Sequence, residues 1–305
     1  MPIPSTILMI RPAAFGYNPE TADNNFFQSK PSLSSKELQQ AALNEFDNMI
    51  KLLKENHIDV IVFDDTPDPV KPDAIFPNNW LSTSPQGIIS VYPMFAPSRR
   101  LEKRDDILKW LNENYIVNGL QDWSEYEVEG RFLEGTGSMV IDHDNELIYA
   151  AISERTNMAV LEKYAATNKY QAIVFLATDN NGQPVYHTNV VMTLGDAFAI
   201  LCEEAIDEEW ELIAVRQLLE STGRTIIPIS REQMHCFAGN IQQVLNTKGE
   251  KFLLLSETAF NSLRKEQKQM LEAYAHLLPI SIPTIEKVEG GSVRCMIAEI
   301  FLERR

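Results

Sequence analysis

Five polar residues stand at nearly equal intervals in a chain of 305: Asn79, Glu134, His187, Asn240 and Cys295, separated by 53 to 55 positions. An acid, an imidazole and a thiol among them are the parts of a nucleophilic site. A thiolate attacks, the imidazole moves protons, and the carboxylate orients the imidazole. Cys295 lies in Gly290-Gly291-Ser292-Val293-Arg294-Cys295-Met296, ahead of the apolar run Ile297 to Leu302. The glycine pair allows φ > 0 and close approach of a ligand to the backbone. Arg294 places a fixed positive charge beside the thiol, which favours thiolate. Taken singly, each residue has an ordinary reading: Cys295 a small apolar residue opening a buried strand, Glu134 a turn charge, His187 a core histidine, Asn240 a turn residue after Gly239. The shared register is what joins them.

Each of the five stands just before a strand signal. Apolar runs separated by turn residues read as hairpins at Trp80–Thr83 with Ile88–Val91, Ser138–Ile141 with Leu147–Ala150, Val190–Thr193 with Ala197–Leu201, and Gln242–Leu245 with Phe252–Leu255. Helical patterns follow over Leu101 to Asn112, Thr156 to Ala165, Asp207 to Leu219 and Glu257 to Ala275. Further strands are expected at Tyr115–Val117, Ala172–Leu176, Thr225–Ile229 and Ser281–Ile282. A period of ~55 residues predicts a repeat architecture, here four ββαβ units. Upstream lie a strand from Thr6 to Ile10, a polar loop through Asn18, Asp23, Asn24 and Asn25, and a helix capped at Ser34-Ser35 with Leu38, Ala42, Phe46, Met49, Ile50 and Leu53 at helical spacing. A strand from Ile58 to Phe63 and an acidic, proline-rich loop from Asp64 to Pro72 follow. Ile297 to Leu302 can pair with Ile7 to Ile10, completing a fifth unit and closing the ring. Equivalent positions would then face one axis. No linker-like change of composition divides residues 1–305, which read as one α/β domain.

Composition excludes several partners. Hydrophobic residues make up 44% and charged residues 23%, as in a soluble globular protein. No apolar run approaches the ~20 residues of a membrane span, and Met1-Pro2-Ile3-Pro4-Ser5 lacks the pattern of a signal peptide. With 27 basic against 43 acidic residues the net charge is −16, and no basic stripe offers a nucleic-acid surface. Cys202, Cys236 and Cys295 are few and far apart, against a disulfide framework and for a reducing, cytoplasmic setting. Neither a zinc spacing nor a phosphate-binding glycine loop appears. Cys202 reads as core, His57 as a helix-terminus residue and His143 as an exposed turn residue. His235 and Cys236 lie off the register and receive no chemistry.

These motifs resemble those of the guanidino-group-modifying enzymes, the pentein superfamily of arginine deiminases, dimethylarginine hydrolases and amidinotransferases. The resemblance runs from Arg11-Pro12 to Cys295-Met296. It implies a closed five-bladed α/β propeller with the site on its axis, and cofactor-free chemistry without a metal. It gives Cys295 the role of nucleophile, His187 that of acid–base and Glu134 that of orienting acid. In Ser153-Glu154-Arg155-Thr156, Arg155 would hold a substrate carboxylate. The stretch Asp73-Ala74-Ile75-Phe76-Pro77-Asn78-Asn79 resembles the family's Phe-Thr-Arg-Asp stretch, with Phe76 against the planar group and Asp73 at the amino-acid end. Two departures bear on the substrate, because Asn79 and Asn189 stand where aspartates read a guanidinium. The motifs are closest to a subgroup that hydrolyses citrulline. The expected partner is a small amino-acid substrate, with a homodimer as the assembly considered. Arginine deiminase, amidinotransferase and a non-catalytic ring-shaped assembly factor are the alternatives.

Overall fold

The alternation of apolar runs and turn residues folds five times into the same unit. The computed structural model describes residues 2–22 and 24–305, so Met1 of the N-terminal stretch and Asp23 of the polar loop lie outside the described residues. Each sheet has three strands. Its central strand pairs antiparallel with one neighbour and parallel with a strand reached through helix. Four sheets follow in order: Leu81–Thr83, Ile88–Val91 and Gly119–Asp122; Val140–Asp142, Leu147–Ala151 and Gln171–Phe175; Met192–Leu194, Phe198–Leu201 and Thr225–Pro228; Gln242–Leu245, Lys251–Ser256 and His276–Ile280. The remaining sheet joins the two ends of the chain, because Ala298–Ile300 pairs antiparallel with Thr6–Arg11 (Thr6 opposite Ile300), which pairs parallel with Asp59–Asp64.

Hydrogen bonds run from each sheet's unit to the next. Thr83 Oγ1 donates to the Glu299 carbonyl and Thr136 Oγ1 to that of Asn78. Thr188 Oγ1 donates to the Ser138 carbonyl, Thr193 Oγ1 to that of Gly239, and the Leu245 amide to that of Pro4. Around the sheets the helices bury one face. In Ser35–Glu55 a Ser34/Glu37 capping box satisfies the first turn, and Leu38, Ala42, Phe46, Met49 and Leu53 are buried. Full burial of such a side chain contributes about 1.5–3 kcal/mol. Among the described residues no helix is long and apolar enough to cross a membrane.

Several element boundaries differ from the sequence reading. The strand expected at Tyr115–Val117 lies at Gly119–Asp122, because Tyr115 bridges to Arg304 of the C-terminal tail instead. The helix expected over Glu257 to Ala275 is two, Glu257–Ser262 and Lys265–Glu272. Extended Leu263 ends the first, and Gln267 accepts the Arg264 amide to start the second. The strand placed at Ser281–Ile282 is His276–Ile280, pairing Leu277 with Leu253. Helix Leu101 to Asn112 is replaced by Pro97–Arg100 and Asp105–Asn114, and Val190-Val191 form a helical turn before their strand. His143 is not solvated as expected: its Nδ1 lies 2.7 Å from Tyr170 Oη and its ring packs on Phe301, because the turn folds against the C-terminal strand segment.

Candidate active site

Short helical turns at the sheet ends hold the register residues. Asn79 ends the turn Pro77–Asn79, Glu134 caps Gly135–Ser138, His187 caps Thr188–Val191, and Cys295 sits in Val293–Met296. Asn240 follows a turn at Phe237, whose φ is +61°. Asn79, Glu134, His187, Asn240 and Cys295 are each at most 4% exposed. A pocket enclosing about 270 Å³ is lined by Asp73, Phe76, Asn79, Arg99, Arg155, Tyr186, His187, Glu289, Gly291 and Cys295, with Thr21, Asn25 and Gln28 from the N-terminal loop.

Two glycines permit this convergence. A Cβ on Gly137 would lie 2.5 Å from Asn79 Nδ2 and 2.7 Å from His187 Nδ1, so any side chain there would displace both. A Cβ on Gly291 would meet the Phe76 ring at 2.7 Å, and its absence lets that ring lie against the cysteine loop.

Glu134 and His187 meet at 2.8 Å between Oε2 and Nε2. Glu134 Oε1 accepts the Phe95 amide. Burial alone would raise the Glu134 carboxyl, but Arg155, the His187 hydrogen bond and Arg99 bring it down to about 2. Arg155 Nη1 and Arg99 Nη1 stand 3.7 and 3.8 Å from Glu134 Oε2. Burial lowers His187 to about 4, with Glu134 opposing, so the imidazole is neutral at pH 7.

The thiol meets amides. Asn240 Nδ2 lies 3.3 Å and Asn189 Nδ2 3.7 Å from Cys295 Sγ. Asn240 Oδ1 accepts the Arg294 amide, which fixes its Nδ2 toward the sulfur and the Asn189 carbonyl. Asn240 therefore faces the thiol, contrary to its reading as a turn residue. Burial pushes the Cys295 thiol up, against the pull of the Ser292 backbone contact, Asn240, Arg294 and Asn189. Arg294 is adjacent in sequence, yet its guanidinium turns to Glu299 at 2.7 Å and to the Ile297 carbonyl.

Of the substrate-binding candidates, Asp73, Phe76, Asn79 and Arg155 line this pocket, whereas Asn189 lies against the thiol outside the lining. Asn79 Oδ1 accepts from Arg99 Nη1 at 2.8 Å, while its buried Nδ2 has no partner. Arg155 stacks over Tyr186 at 4.9 Å, and its fork is held by Asn24 Oδ1 and the Thr21 carbonyl. Asp73 accepts from Asn18 and lies 3.9 Å from Arg99 Nε. Arg99, 3% exposed and forked onto Glu102 at 2.9 and 3.0 Å, was not identified from sequence. Its signal was Arg99 and Glu102 at i,i+3 after Pro97, a pattern common on helix surfaces. Glu289, and Asn78 with both amide atoms unpartnered, were also missed. Cys202 is core, pushed up to about 12 by burial, and His57 ends its helix at φ +58°. His235 packs on Phe27 outside the pocket, and Cys236 is half-buried nearby. Among the described residues no cluster of His, Cys, Asp or Glu is arranged to hold a metal ion.

A repeated ββαβ fold with this pocket is that of the guanidino-group-modifying enzymes. Residues 11–302 match the family described as N,N-dimethylarginine dimethylhydrolase, eukaryotic. The chain belongs to this family, within the pentein superfamily of guanidino-group-modifying enzymes. It is similar in fold to apo ArgZ, an arginine dihydrolase from the ornithine–ammonia cycle in cyanobacteria, with TM-score 0.72, 15% identity, and coverage of 96% of this chain and 40% of that one. The AgrE complex with L-arginine gives 0.70 and 16%, covering 98% and 40%. A dimethylarginine dimethylaminohydrolase adduct with S-methyl-L-thiocitrulline gives 0.64 and 14%, covering 98% and 100%. The chain thus spans about 40% of the full ArgZ and AgrE chains. Comparison with curated proteins finds no match.

Proposed function

We propose that the protein hydrolyses the ureido C–N bond of citrulline, giving ornithine, carbon dioxide and ammonia, in a single domain whose five sheets close into an α/β propeller. The hydrogen bonds that link each unit to the next support the closed ring. One observation carries the substrate. Arg99 can only donate, so it claims Asn79 Oδ1 and leaves Nδ2 as the free group in the pocket. A free donor matches the ureido carbonyl oxygen and opposes a guanidinium, which presents donors and a positive charge. Burying that cation without a carboxylate opposite it is costly.

Cys295 attacks the planar carbon as its proton passes to His187, and the imidazolium formed is stabilised by Glu134. That proton goes to the departing nitrogen, leaving a thiocarbamate on Cys295. Water then gives a proton to His187 and attacks the same carbon, the C–S bond breaks as His187 returns that proton to the sulfur, and the carbamate released falls apart into carbon dioxide and the second amine. Acid–base help of this kind contributes roughly 10²–10⁴ in rate. Phe76 packs on the planar group, Asn189 and Asn240 hold the sulfur, and Asp73 faces the amino-acid end. Arg155 takes the carboxylate in place of Asn24 and the Thr21 carbonyl. The setting is cytoplasmic and the assembly is read as a homodimer.

Purified enzyme offered citrulline, arginine, agmatine and methylated arginines is expected to release ornithine and ammonia fastest from citrulline. Faster turnover of arginine, the ligand in the AgrE complex, would overturn this preference.

The neutral histidine also predicts a pH profile. Catalysis starting from neutral His187 is lost when the imidazole protonates before substrate arrives. Because burial lowers that event to about 4, the acid limb of kcat/KM is expected near pH 4 rather than at the ordinary 6.5, measured with 5-ureidopentanoate so that no α-ammonium group adds a limb of its own. A limb at 6.5 would remove His187 from the role of initial base.

A further inference from the structure

Glu289 closes the helix Pro283–Glu289 and lies six residues before the thiol in sequence. Its carboxyl is 1% exposed and lines the pocket together with Asp73, Arg99 and Arg155. Oε2 accepts from Gln28 Nε2 at 3.2 Å, but no N–H or hydroxyl donor reaches Oε1, and the carboxyl meets only that of Asp73. A carboxyl oxygen this deeply buried is costly to leave unpaired. Both ends of the residue are otherwise fixed, since its backbone carbonyl accepts from Asn25 Nδ2 at 2.9 Å. We infer that Glu289 is a substrate-specificity residue whose unpartnered oxygen, beside Asp73, receives the α-ammonium group of an amino-acid substrate. This rests on the proposed amino-acid reading and assigns that substrate's cationic end.

Charge in the pocket supports the assignment. Arg99 and Arg155 line it with Asp73 and Glu289, while Glu102 and Glu134, outside the lining, pair with the two arginines. With a neutral ureido group, the α-ammonium is the ligand's one cation and the α-carboxylate its one anion. The arginines suit the anion, and the carboxyl pair suits the cation. Burial, the charge of Asp73 and a hydrogen bond with Asp73 raise the Glu289 carboxyl well above its ordinary range, with Arg99 opposing and Glu102 adding to the rise. This direction favours a proton between the two carboxyls in the free enzyme, where the ammonium would sit, and binding of the amino acid would release it. Affinity for the amino acid should accordingly weaken as pH falls.

Glu289→Gln tests this, because glutamine copies the shape of the protonated carboxyl and preserves the fold while denying the ammonium an anion. Steady-state kinetics compare citrulline with 5-ureidopentanoate, which lacks the α-amino group. The variant is expected to raise KM for citrulline roughly ten- to a hundred-fold with little change in kcat, narrowing the preference over the analogue by the same factor. Calorimetry on the Cys295→Ser protein, in buffers of differing ionisation enthalpy, should show proton release on citrulline binding that disappears with Glu289→Gln added. Equal losses on both substrates, or an unchanged preference, would overturn the inference. If arginine proves the substrate, the citrulline reading fails, and the same ratio measured with arginine and 5-guanidinopentanoate decides the role of Glu289. Absence of turnover of any free α-amino acid would overturn both.

Discussion

Replacing Cys295 by serine is expected to lower kcat by on the order of 10⁴ to 10⁶ while leaving the protein folded. The sulfur sits among Asn189, Asn240 and the Ser292 turn, 4% exposed. A serine hydroxyl can accept the same amide donors, so the packing of the turn Val293–Met296 has little reason to change. What is lost is nucleophilicity: a hydroxyl beside a neutral imidazole gives up its proton far less readily than a thiol. Two measurements separate the losses. Quenched wild-type enzyme should carry a thiocarbamate mass on the Cys295 peptide, and the variant should still bind citrulline by calorimetry. Wild-type turnover in the variant, or no adduct in the wild type, would remove Cys295 from the reaction.

The register was legible because a repeated unit turns sequence distance into spatial equivalence. Glu134 and His187 are 53 residues apart and meet at 2.8 Å, and Asn240 and Cys295 are 55 apart and meet at 3.3 Å. Turn residues between apolar runs marked the hairpins, so strands were located far better than the segments joining them. Two of the four parallel third strands shifted, Gly119–Asp122 and His276–Ile280, and a short half-exposed strand such as the first carries little apolar signal. Adjacency in sequence misled at Arg294. Its backbone amide does serve the site through Asn240, but the side chain leaves for Glu299.

Arg99 shows what spacing cannot carry. It belongs to no register position, and its ion pair with Glu102 looks like an ordinary surface pair until both are buried. Once buried, it sets the direction of the Asn79 amide, supports ionised Glu134 and faces Asp73. The sequence reading weighed Asn79 by its lack of charge. The structure adds which end of the amide is free.

That free end makes Asn79→Asp the most discriminating change in substrate choice. The variant keeps an oxygen for Arg99, and the guanidinium beside it favours the ionised carboxylate. The other end changes from an N–H donor to an acceptor on a side chain only 2% exposed. A ureido oxygen placed there loses its partner and meets a negative charge. The loss deepens as charge builds on that oxygen during attack by Cys295. Removal of one such donor costs roughly 10²–10³ in kcat, and a loss of that size is expected for citrulline. Arginine should suffer less, because its cation gains a carboxylate, so the ratio of kcat/KM values should move toward arginine by at least about 10². Asn79→Ala is the companion measurement: it removes the donor without adding charge, and should reduce citrulline turnover without improving arginine. Thermal unfolding of both variants checks that Arg99 and Glu102 remain in place. An Asn79→Asp enzyme that keeps its preference for citrulline would show that the donor at this position does not choose the substrate.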